Sequence, residues 1–233
     1  MQTVVQILEA VGVFLAGLLA RFGLFLVMIA VVAAPAVLVA LALRWADRRR
    51  RYALGLKDVG GLQFRPDARY APGHTWVTVR SGSSLAVGID DLAQRILTSV
   101  TAIELPRVGN AVEKGEILAT LHGGGRAVRV RSPVSGIVAG INAAVLRDPG
   151  IVKRDAYGRG WLVAITPTDP SWEALPAGLA AERFLRAESD RFHRFLEDRL
   201  GFAAADGGAL VAPAPWLVGE DGWRRLTAEF LGA

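Results

Sequence analysis

Few residues in this sequence could perform covalent or metal chemistry. The chain contains no cysteine, which excludes disulfides, thiolate metal sites and a cysteine nucleophile. Its three histidines, His74, His122 and His193, are far apart in sequence, and this spacing argues against a histidine-rich metal site. No recognisable nucleophile motif is present. We therefore expect no catalytic residue, no metal and no cofactor, and we predict that the chain is not an enzyme.

Lysine amines are the remaining candidates for covalent chemistry, and the chain has only Lys57, Lys114 and Lys153. Arginine supplies the other basic residues, and the formal net charge is +5. A basic balance is typical of proteins that bind nucleic acid or an anionic membrane surface. Because the densest basic run adjoins an apolar segment, the membrane is the simpler interpretation. Nucleic acid is not expected, since aromatic interleaving and a recognised binding module are missing.

The apolar segment spans residues 22–43, which carry no charge. These residues would reach roughly 33 Å as a helix, enough to cross a hydrocarbon core of about 30 Å. Pro35 lies inside the segment, where prolines are tolerated in membrane helices. A cleaved signal peptide has a shorter apolar core that follows its basic residues. Here the basic residues come afterwards, so the sequence predicts a retained transmembrane helix over residues 22–44.

A basic cluster follows the apolar segment and sets its orientation. Basic residues concentrate on the cytoplasmic flank of a membrane helix, and Arg21 alone opposes this cluster. The cluster consists of Arg44, Arg48, Arg49, Arg50 and Arg51. We therefore predict a single-pass protein of a bacterial inner membrane, with its N-terminus outside and its remaining residues cytoplasmic. Residues 1–21 are either an interfacial helix on the outer side or a continuation of the span.

After the helix, residues 45–69 are interpreted as a basic flank and a linker. Residues 70–170 change to short strands and glycine or proline turns, which favour a small barrel or sandwich. The strands are predicted at 75–80, 85–89, 100–105, 116–121, 127–130, 136–141 and 161–165, with a short helix over 90–97 capped by Asp90. Residues 171–233 form a helical tail, with an amphipathic helix over Gly178–Leu200, a stop at Gly201, a loop over 207–215 and a short helix over 223–231. This tail docks on the barrel or on another protein.

Ordered short motifs between residues 70 and 170 resemble glycine-cleavage H proteins. They are His74-Thr75-Trp76-Val77, Val87-Gly88-Ile89-Asp90, Ala93-Gln94, Glu104-Leu105-Pro106, Val108-Gly109, Val112, Gly115-Glu116, Ser132-Pro133-Val134-Ser135-Gly136, Val138, Asn142, Pro149 and Tyr157-Gly158-Arg159-Gly160-Trp161-Leu162. The resemblance implies a barrel-sandwich hybrid, as in lipoyl and biotinyl carrier domains. The expected fold is therefore mainly β with α: one transmembrane helix, this domain, and C-terminal amphipathic helices.

The resemblance also implies a lipoyl-bearing lysine at the tip of a hairpin. Counting back from Pro133, the matching position is Gly125, in the run Leu121-His122-Gly123-Gly124-Gly125-Arg126. Arginine cannot replace the lysine, because its guanidinium stays protonated. A shifted attachment at Lys114 is an alternative, and phosphate binding by the glycine run is another, although Walker and Rossmann spacings are absent.

Arginines replace the acidic neighbours of that turn. Arg126, Arg129 and Arg131 are expected to share one face of a strand, where they would contact lipid head groups or an acidic partner, or simply face solvent.

Two functions follow from these patterns. The first is a non-catalytic accessory subunit of a larger membrane complex, whose domain caps the cytoplasmic face and whose partners are other membrane subunits and lipids. The layout of one helix and a cytoplasmic β-rich domain is that of reaction-centre H subunits, which makes a photosynthetic or other electron-transfer complex a candidate host. The alternative is a membrane-tethered lipoyl carrier or a partner of lipoate-dependent enzymes.

Overall fold

The computed structural model describes residues 2–80, 82–200 and 218–232, and the chain divides into two units, Met1–Ala53 and Leu54–Ala233. The first unit is a single helix, α1, over Gln2–Ala53. It includes Pro35 and passes without a break through residue 21, so residues 2–21 continue the apolar helix. Within it the stretch Gly12–Ala46 contains an 18-residue window with a mean hydropathy of 2.9, and α1 is the one described helix long and apolar enough to cross a membrane.

The segment predicted to be a linker is folded. Strands β1 (Lys57–Val59) and β2 (Leu62–Phe64) form an antiparallel hairpin. Val59, Leu62 and Phe64 are buried, which places the hairpin in the hydrophobic core. The linker interpretation of residues 45–69 is therefore wrong, because three-residue strands are too short to show an alternating pattern in the sequence.

Two antiparallel sheets carry most of the second unit. One has six strands in the order β3-β4-β5-β11-β10-β7, and the other has three in the order β6-β8-β9. Their bounds are β3 Arg69–Ala71, β4 Thr75–Val79, β5 Leu85–Ile89, β6 Ala102–Glu104, β7 Ala111–Val112, β8 Ile117–Gly123, β9 Arg126–Arg131, β10 Gly136–Ile141 and β11 Val163–Pro167. The predicted strands all coincide with observed ones within about three residues, and 85–89 and 136–141 coincide fully.

Short helices connect these strands. They are α2 (Asp91–Ile96), α3 (Ala143–Arg147), α4 (Ile151–Arg154) and a 3₁₀ turn over Pro170–Ala174. Asp90 caps α2, because its carboxylate accepts hydrogen bonds from the backbone N–H groups of Leu92 and Ala93. This confirms the predicted cap.

A close packing contact explains a glycine in the centre of the large sheet. Trp76 on β4 lies opposite Gly88 on β5. A Cβ atom at Gly88 would lie 2.5 Å from the Trp76 ring, so only glycine leaves room for the indole. The ring itself is 1% exposed.

Helices α5 (Gly178–Leu200) and α6 (Glu220–Leu231) complete the unit. The predicted bounds of α5 are confirmed, and α6 begins three residues before residue 223. Phe192 of α5 and Leu226 of α6 are fully buried in the core cluster that the sheets also supply. The tail therefore docks on the β domain. Gly201 and the loop over 207–215 lie outside the described residues. Since helices hold more described residues than strands, the expected mainly β chain is corrected to a mixed α and β chain.

Candidate functional site

The glycine run forms the tip of the β8–β9 hairpin. The two strands pair antiparallel up to Gly123↔Arg126, which leaves Gly124 and Gly125 as the two turn residues. Their φ angles are +59° and +75°. Positive φ at both central residues defines a type I′ turn, in which glycine is strongly preferred. The hairpin expected from the sequence is thus present, and its tip consists of glycine.

The tip is tightly packed on one side and open on the other. A Cβ atom at Gly123 would lie 1.8 Å from the backbone oxygen of Ser99, so that position must be glycine while this segment stays in place. A Cβ atom at Gly125 would meet nothing within 4 Å. A side chain at position 125 would therefore project freely, at the cost of a strained backbone.

None of the three lysines is at this tip, and the Lys153 amine also donates hydrogen bonds within the domain. Lys114 is in the turn before β8, and the seven residues of β8 put that turn roughly 20 Å along the strand from the tip. Lys57 is on β1. Lys153 donates hydrogen bonds from Nζ to the carbonyl oxygens of Leu97 and Thr98, and burial lowers its pKa. An amide-linked arm needs a free lysine amine, so the residues of the hairpin tip do not fit a lipoyl group.

The expectation that three arginines share one face is wrong. Arg126 and Arg129 are three residues apart, and side chains three apart on a strand point to opposite faces. Arg129 and Arg131 are exposed, whereas Arg126 lies on the face of buried Val128 and Val130. Arg126 stacks over the Trp223 ring of α6 at 4.7 Å, and its Nη2 lies 3.9 Å from Glu220 Oε2.

Arg131 also serves the fold. Its Nε donates to the backbone oxygen of Gly232 at 2.6 Å, and its Nη1 donates to the backbone oxygen of Gly115 at 2.9 Å. Together with the Arg126–Trp223 contact, the bond to Gly232 fixes α6 alongside β9. Arg129 is then the member of the predicted set that remains fully on the outer face. Contacts of these arginines with lipid or a partner stay a prediction.

His122 and Glu104 form an exposed pair close to the tip. His122 lies on β8, and its Nε2 is 3.0 Å from Glu104 Oε1 on the neighbouring strand. The two side chains are 37% and 73% exposed. An exposed ion pair contributes little stability, so this pair is an ordinary surface feature of the sheet.

The most unusual electrostatic arrangement is centred on His74, whose partners the sequence did not identify. His74 is 1% exposed and has a φ of +59°. Its Nδ1 lies 2.8 Å from Asp90 Oδ2, and its Nε2 lies 3.3 Å from Glu188 Oε2. Burial by itself lowers the pKa of His74, but the Asp90 and Glu188 carboxylates outweigh burial and raise it to about 9. The imidazole is therefore charged at neutral pH.

The His74 contacts continue into both C-terminal helices. Glu188 accepts two hydrogen bonds from Arg191 Nη1, at 3.0 and 2.9 Å. Arg191 also reaches α6, donating from Nη2 to the side chain and backbone oxygen of Glu229. We call Asp90, His74, Glu188, Arg191 and Glu229 the His74 charge chain. It joins the start of α2, the β3–β4 turn, α5 and α6, and so ties the tail to the β domain.

No local motif could have identified the His74 charge chain. Its members are separated by 16 residues from His74 to Asp90 and by 38 from Arg191 to Glu229. Only His74 and Asp90 carried a signal. His74 belongs to the quoted motif with Trp76, and Asp90 belongs to the motif at the end of β5 and was also the predicted cap of α2. A surface cavity of about 490 Å³ is lined by three members of the His74 charge chain, Glu188, Arg191 and Glu229, and also by Arg131.

Comparisons with known proteins identify a family for part of this chain. Residues 68–187 match the family described as Glycine cleavage H-protein. The match continues past residue 170, where the resemblance was expected to end, and includes the first part of α5. The H protein of Anaeromyxobacter sp. strain K is 34% identical over 128 residues, which cover 54% of this chain and 99% of that protein.

Two further matches concern a similar share of the chain. The H protein of Thermus thermophilus is 38% identical over 108 residues, which cover 46% of this chain and 84% of that protein. A crystal structure of the H protein from Mycobacterium marinum is 29% identical, with a TM-score of 0.42, and the match covers 45% of this chain and 87% of that one. The family match over the β domain and the beginning of α5 makes this chain a member of the glycine cleavage H-protein family, extended by an N-terminal apolar helix and a C-terminal helix.

Proposed function

We propose that this chain is a non-catalytic accessory subunit of a larger membrane protein complex. Its H-protein-like domain, a barrel-sandwich hybrid, is the cytoplasmic part of the subunit and α1 is its anchor. The observation that carries the proposal is the type I′ tip at Gly124–Gly125. By the match to Pro133, Gly125 occupies the position of the lipoyl lysine, so the swinging arm has no amine to join.

The surroundings of the tip support this proposal. Arg126, directly after the tip, is turned onto Trp223 of α6, and Arg131 is bonded to the end of the same helix. The C-terminal helix thus packs against β9. These contacts favour a rigid structural domain over a carrier.

The start of the domain supports a position at the membrane surface. The last residue of the charge-free segment is Leu43, and the first strand begins 14 residues later at Lys57. The basic cluster from Arg44 to Arg51 lies between them and favours a cytoplasmic orientation of the domain. A tether of this length suits a domain that caps the inner face of a complex. A photosynthetic or other electron-transfer complex is proposed as host, by analogy of layout.

A lipoylation experiment tests the missing amine. The full chain is co-expressed with a lipoate ligase and lipoate, and its intact mass is measured. We expect the native chain to show no lipoyl mass increment and the Gly125→Lys variant to show one, because a side chain at position 125 meets no neighbour. The backbone strain of about 1–2 kcal/mol at this position should leave the domain folded, which circular dichroism would verify. A lipoyl increment on the native chain contradicts the proposal. If the Gly125→Lys variant is folded but carries no lipoyl group, the missing amine is not the reason why the native chain is not lipoylated.

Lys114 favours the alternative of a tethered carrier, because it is exposed on the tight turn before β8. The same mass measurement on Lys114→Arg separates the two functions. If the native chain carries a lipoyl group and the Lys114→Arg variant does not, the chain functions as a tethered carrier and not as an accessory subunit.

Membrane association is tested by purification in detergent. We expect the chain to co-elute in constant ratio with other membrane subunits, which mass spectrometry would identify. Elution of the chain without any other membrane protein contradicts an accessory role.

A further inference from the structure

Helix α1 does not end where its charge-free segment ends. It continues without a break through residues 44–53, which extend about 15 Å beyond Leu43. The head-group layer on one side of a bilayer is about 5–7 Å thick, since a hydrocarbon core of about 30 Å lies within a bilayer of about 40–45 Å. On the proposed function, in which α1 is the anchor, this helical end therefore passes through the head groups of the cytoplasmic leaflet.

The helical register of residues 44–53 places most of their basic and aromatic residues on one side. With 3.6 residues per turn, an arc of about 160° contains four of the five arginines and both aromatic residues. We call these positions the basic face: Arg44, Trp45, Arg48, Arg49, Arg51 and Tyr52. The rest of the circumference carries two alanines, one aspartate and one arginine, namely Ala46, Ala53, Asp47 and Arg50. Arg50 lies directly opposite the centre of the basic face.

The side chains of the basic face combine cations with open aromatic rings. The guanidinium of Arg49 lies over the Trp45 ring, 4.2 Å from its centroid. Trp45 is 58% exposed and Tyr52 is 85% exposed. Tryptophan and tyrosine concentrate where a membrane meets water, and the planar guanidinium of arginine binds phosphate groups. Because both residue types lie at the height of the head groups, the basic face fits anionic phospholipids better than an acidic protein segment, which would not call for the aromatic rings.

The length of the apolar part of α1 gives this face a reason to approach the bilayer. Apart from Arg21, residues 12–43 carry no charge, and they measure about 48 Å as a helix. A helix that is too long for a core of about 30 Å tilts. In an upright helix Tyr52 lies about 13 Å beyond Leu43. A tilt of about 40° toward the basic face brings that position to about 7 Å from the hydrocarbon, because the helical end descends and this side of it turns down.

We propose that the basic face binds anionic phospholipids of the cytoplasmic leaflet and thereby sets the direction in which α1 tilts. The proposal rests on the proposed function, in which α1 is the membrane anchor. An arginine close to an anionic membrane surface strengthens binding about fivefold, which corresponds to about 1 kcal/mol. Arg50 and Asp47 lie outside the face, so neither of them contacts the bound head groups.

Two substitutions of equal charge test the basic face. Arg48→Gln removes one charge from the face, and the matched control Arg50→Gln removes one from the opposite side, so both variants keep four arginines that orient the chain. Each full-length chain is reconstituted in phosphatidylcholine vesicles with increasing fractions of phosphatidylglycerol. Mass spectrometry counts the lipids that the chain retains after mild detergent extraction. We expect the native chain to retain phosphatidylglycerol in preference to phosphatidylcholine. Arg48→Gln should need about fivefold more phosphatidylglycerol for the same retention, and Arg50→Gln should need no more than the native chain.

The direction of tilt is measured with a fluorophore at two neighbouring positions, since the native chain has no cysteine to compete for the label. Tyr52→Cys places the fluorophore on the basic face, and Ala53→Cys places it outside the face at nearly the same height. The vesicles carry a quencher on their lipid head groups. We expect stronger quenching at position 52 than at position 53 when phosphatidylglycerol is present, and equal quenching in phosphatidylcholine alone.

Three results overturn the proposal: equal retention of the two lipids by the native chain, equal losses in Arg48→Gln and Arg50→Gln, or equal quenching at positions 52 and 53 with phosphatidylglycerol present. It is also overturned if Arg48→Gln loses host subunits while its retention of phosphatidylglycerol is unchanged, because the face then binds an acidic protein segment. The accessory role fails separately, if the chain retains phosphatidylglycerol but elutes without any host subunit.

Discussion

The charge of buried His74 should make the stability of the β domain fall as the pH rises. Its pKa is raised from an ordinary 6.5 to about 9 by Asp90 and Glu188, a difference equivalent to about 3 kcal/mol at roughly 1.4 kcal/mol per pH unit. Because the pKa is higher in the folded state, this stabilisation is complete below about pH 6.5. It is lost as the pH rises through 9.

The change that isolates this effect is His74→Asn. Asparagine tolerates the positive φ of this position better than most residues, so the variant removes the charge without straining the backbone further. Below pH 6.5 we expect the variant to be less stable than the native chain by about 3 kcal/mol or more, because two carboxylates lose their buried cation. Above pH 9 that gap should shrink by about 3 kcal/mol, since the native imidazole is then neutral.

The assay is urea unfolding of the full chain in detergent, followed by the fluorescence of Trp76 and Trp223, at several pH values between 6 and about 10. The contributions of the other titrating groups cancel when the unfolding free energy of the variant is subtracted from that of the native chain at the same pH. His122→Asn is the matched control, because His122 pairs with Glu104 at the surface and should change stability by less than about 1 kcal/mol. If the difference in unfolding free energy between the native chain and His74→Asn does not depend on pH, the reasoning is refuted. The same conclusion follows if the difference between the native chain and His122→Asn decreases with pH to the same extent.

Three other predictions concern packing and amine access. Gly88→Ala should lower the free energy of unfolding by about 1–3 kcal/mol, because its Cβ would lie 2.5 Å from the Trp76 ring. The control Gly140→Ala, whose Cβ would have its nearest neighbour at 3.9 Å, should change that free energy by no more than about 0.5 kcal/mol in the same urea assay. Equal losses in the two variants would show that the Gly88–Trp76 contact is not tight. Phe192→Ala should cost about 3–5 kcal/mol, since the ring is fully buried where α5 meets the sheets, and a loss below about 1 kcal/mol would mean that the tail is not docked. Lys153 should be acylated more slowly than exposed Lys114 when the native chain is treated with a limiting amount of an amine-reactive acylating reagent, because the Lys153 Nζ donates hydrogen bonds to two carbonyl oxygens. Peptide mass spectrometry measures both rates. Faster acylation of Lys153 would contradict these hydrogen bonds.

The predictions that succeeded from sequence rest on local physical chemistry. The apolar side chains of α5 recur at helical spacing, and its bounds were predicted as observed. Asp90 was identified as a cap because a carboxylate before a helix can bond the free N–H groups of the first turn. The hairpin tip at Gly124–Gly125 followed from the glycine run and the family motifs.

The predictions that failed concern features in which local pattern is weak or misleading. The β1–β2 hairpin has three residues per strand, too few for an alternating pattern, and its burial depends on packing against α5 and α2. The shared face of three arginines failed because Arg126 is an odd number of residues from the other two. Its contact with Trp223 spans nearly a hundred residues, which strand periodicity cannot indicate.

The sequence by itself determined that this chain has a long apolar helix, the motifs of a glycine cleavage H protein and no lysine in its glycine-rich turn, because these are properties of residue type and short spacing. The tertiary structure alone decided that the tail belongs to the domain. It also decided that Arg126 and Arg131 fasten α6 and that His74 holds a buried charge. Each of these depends on which distant residues pack together, and therefore on the free energy of the whole fold rather than on the pattern of any one segment.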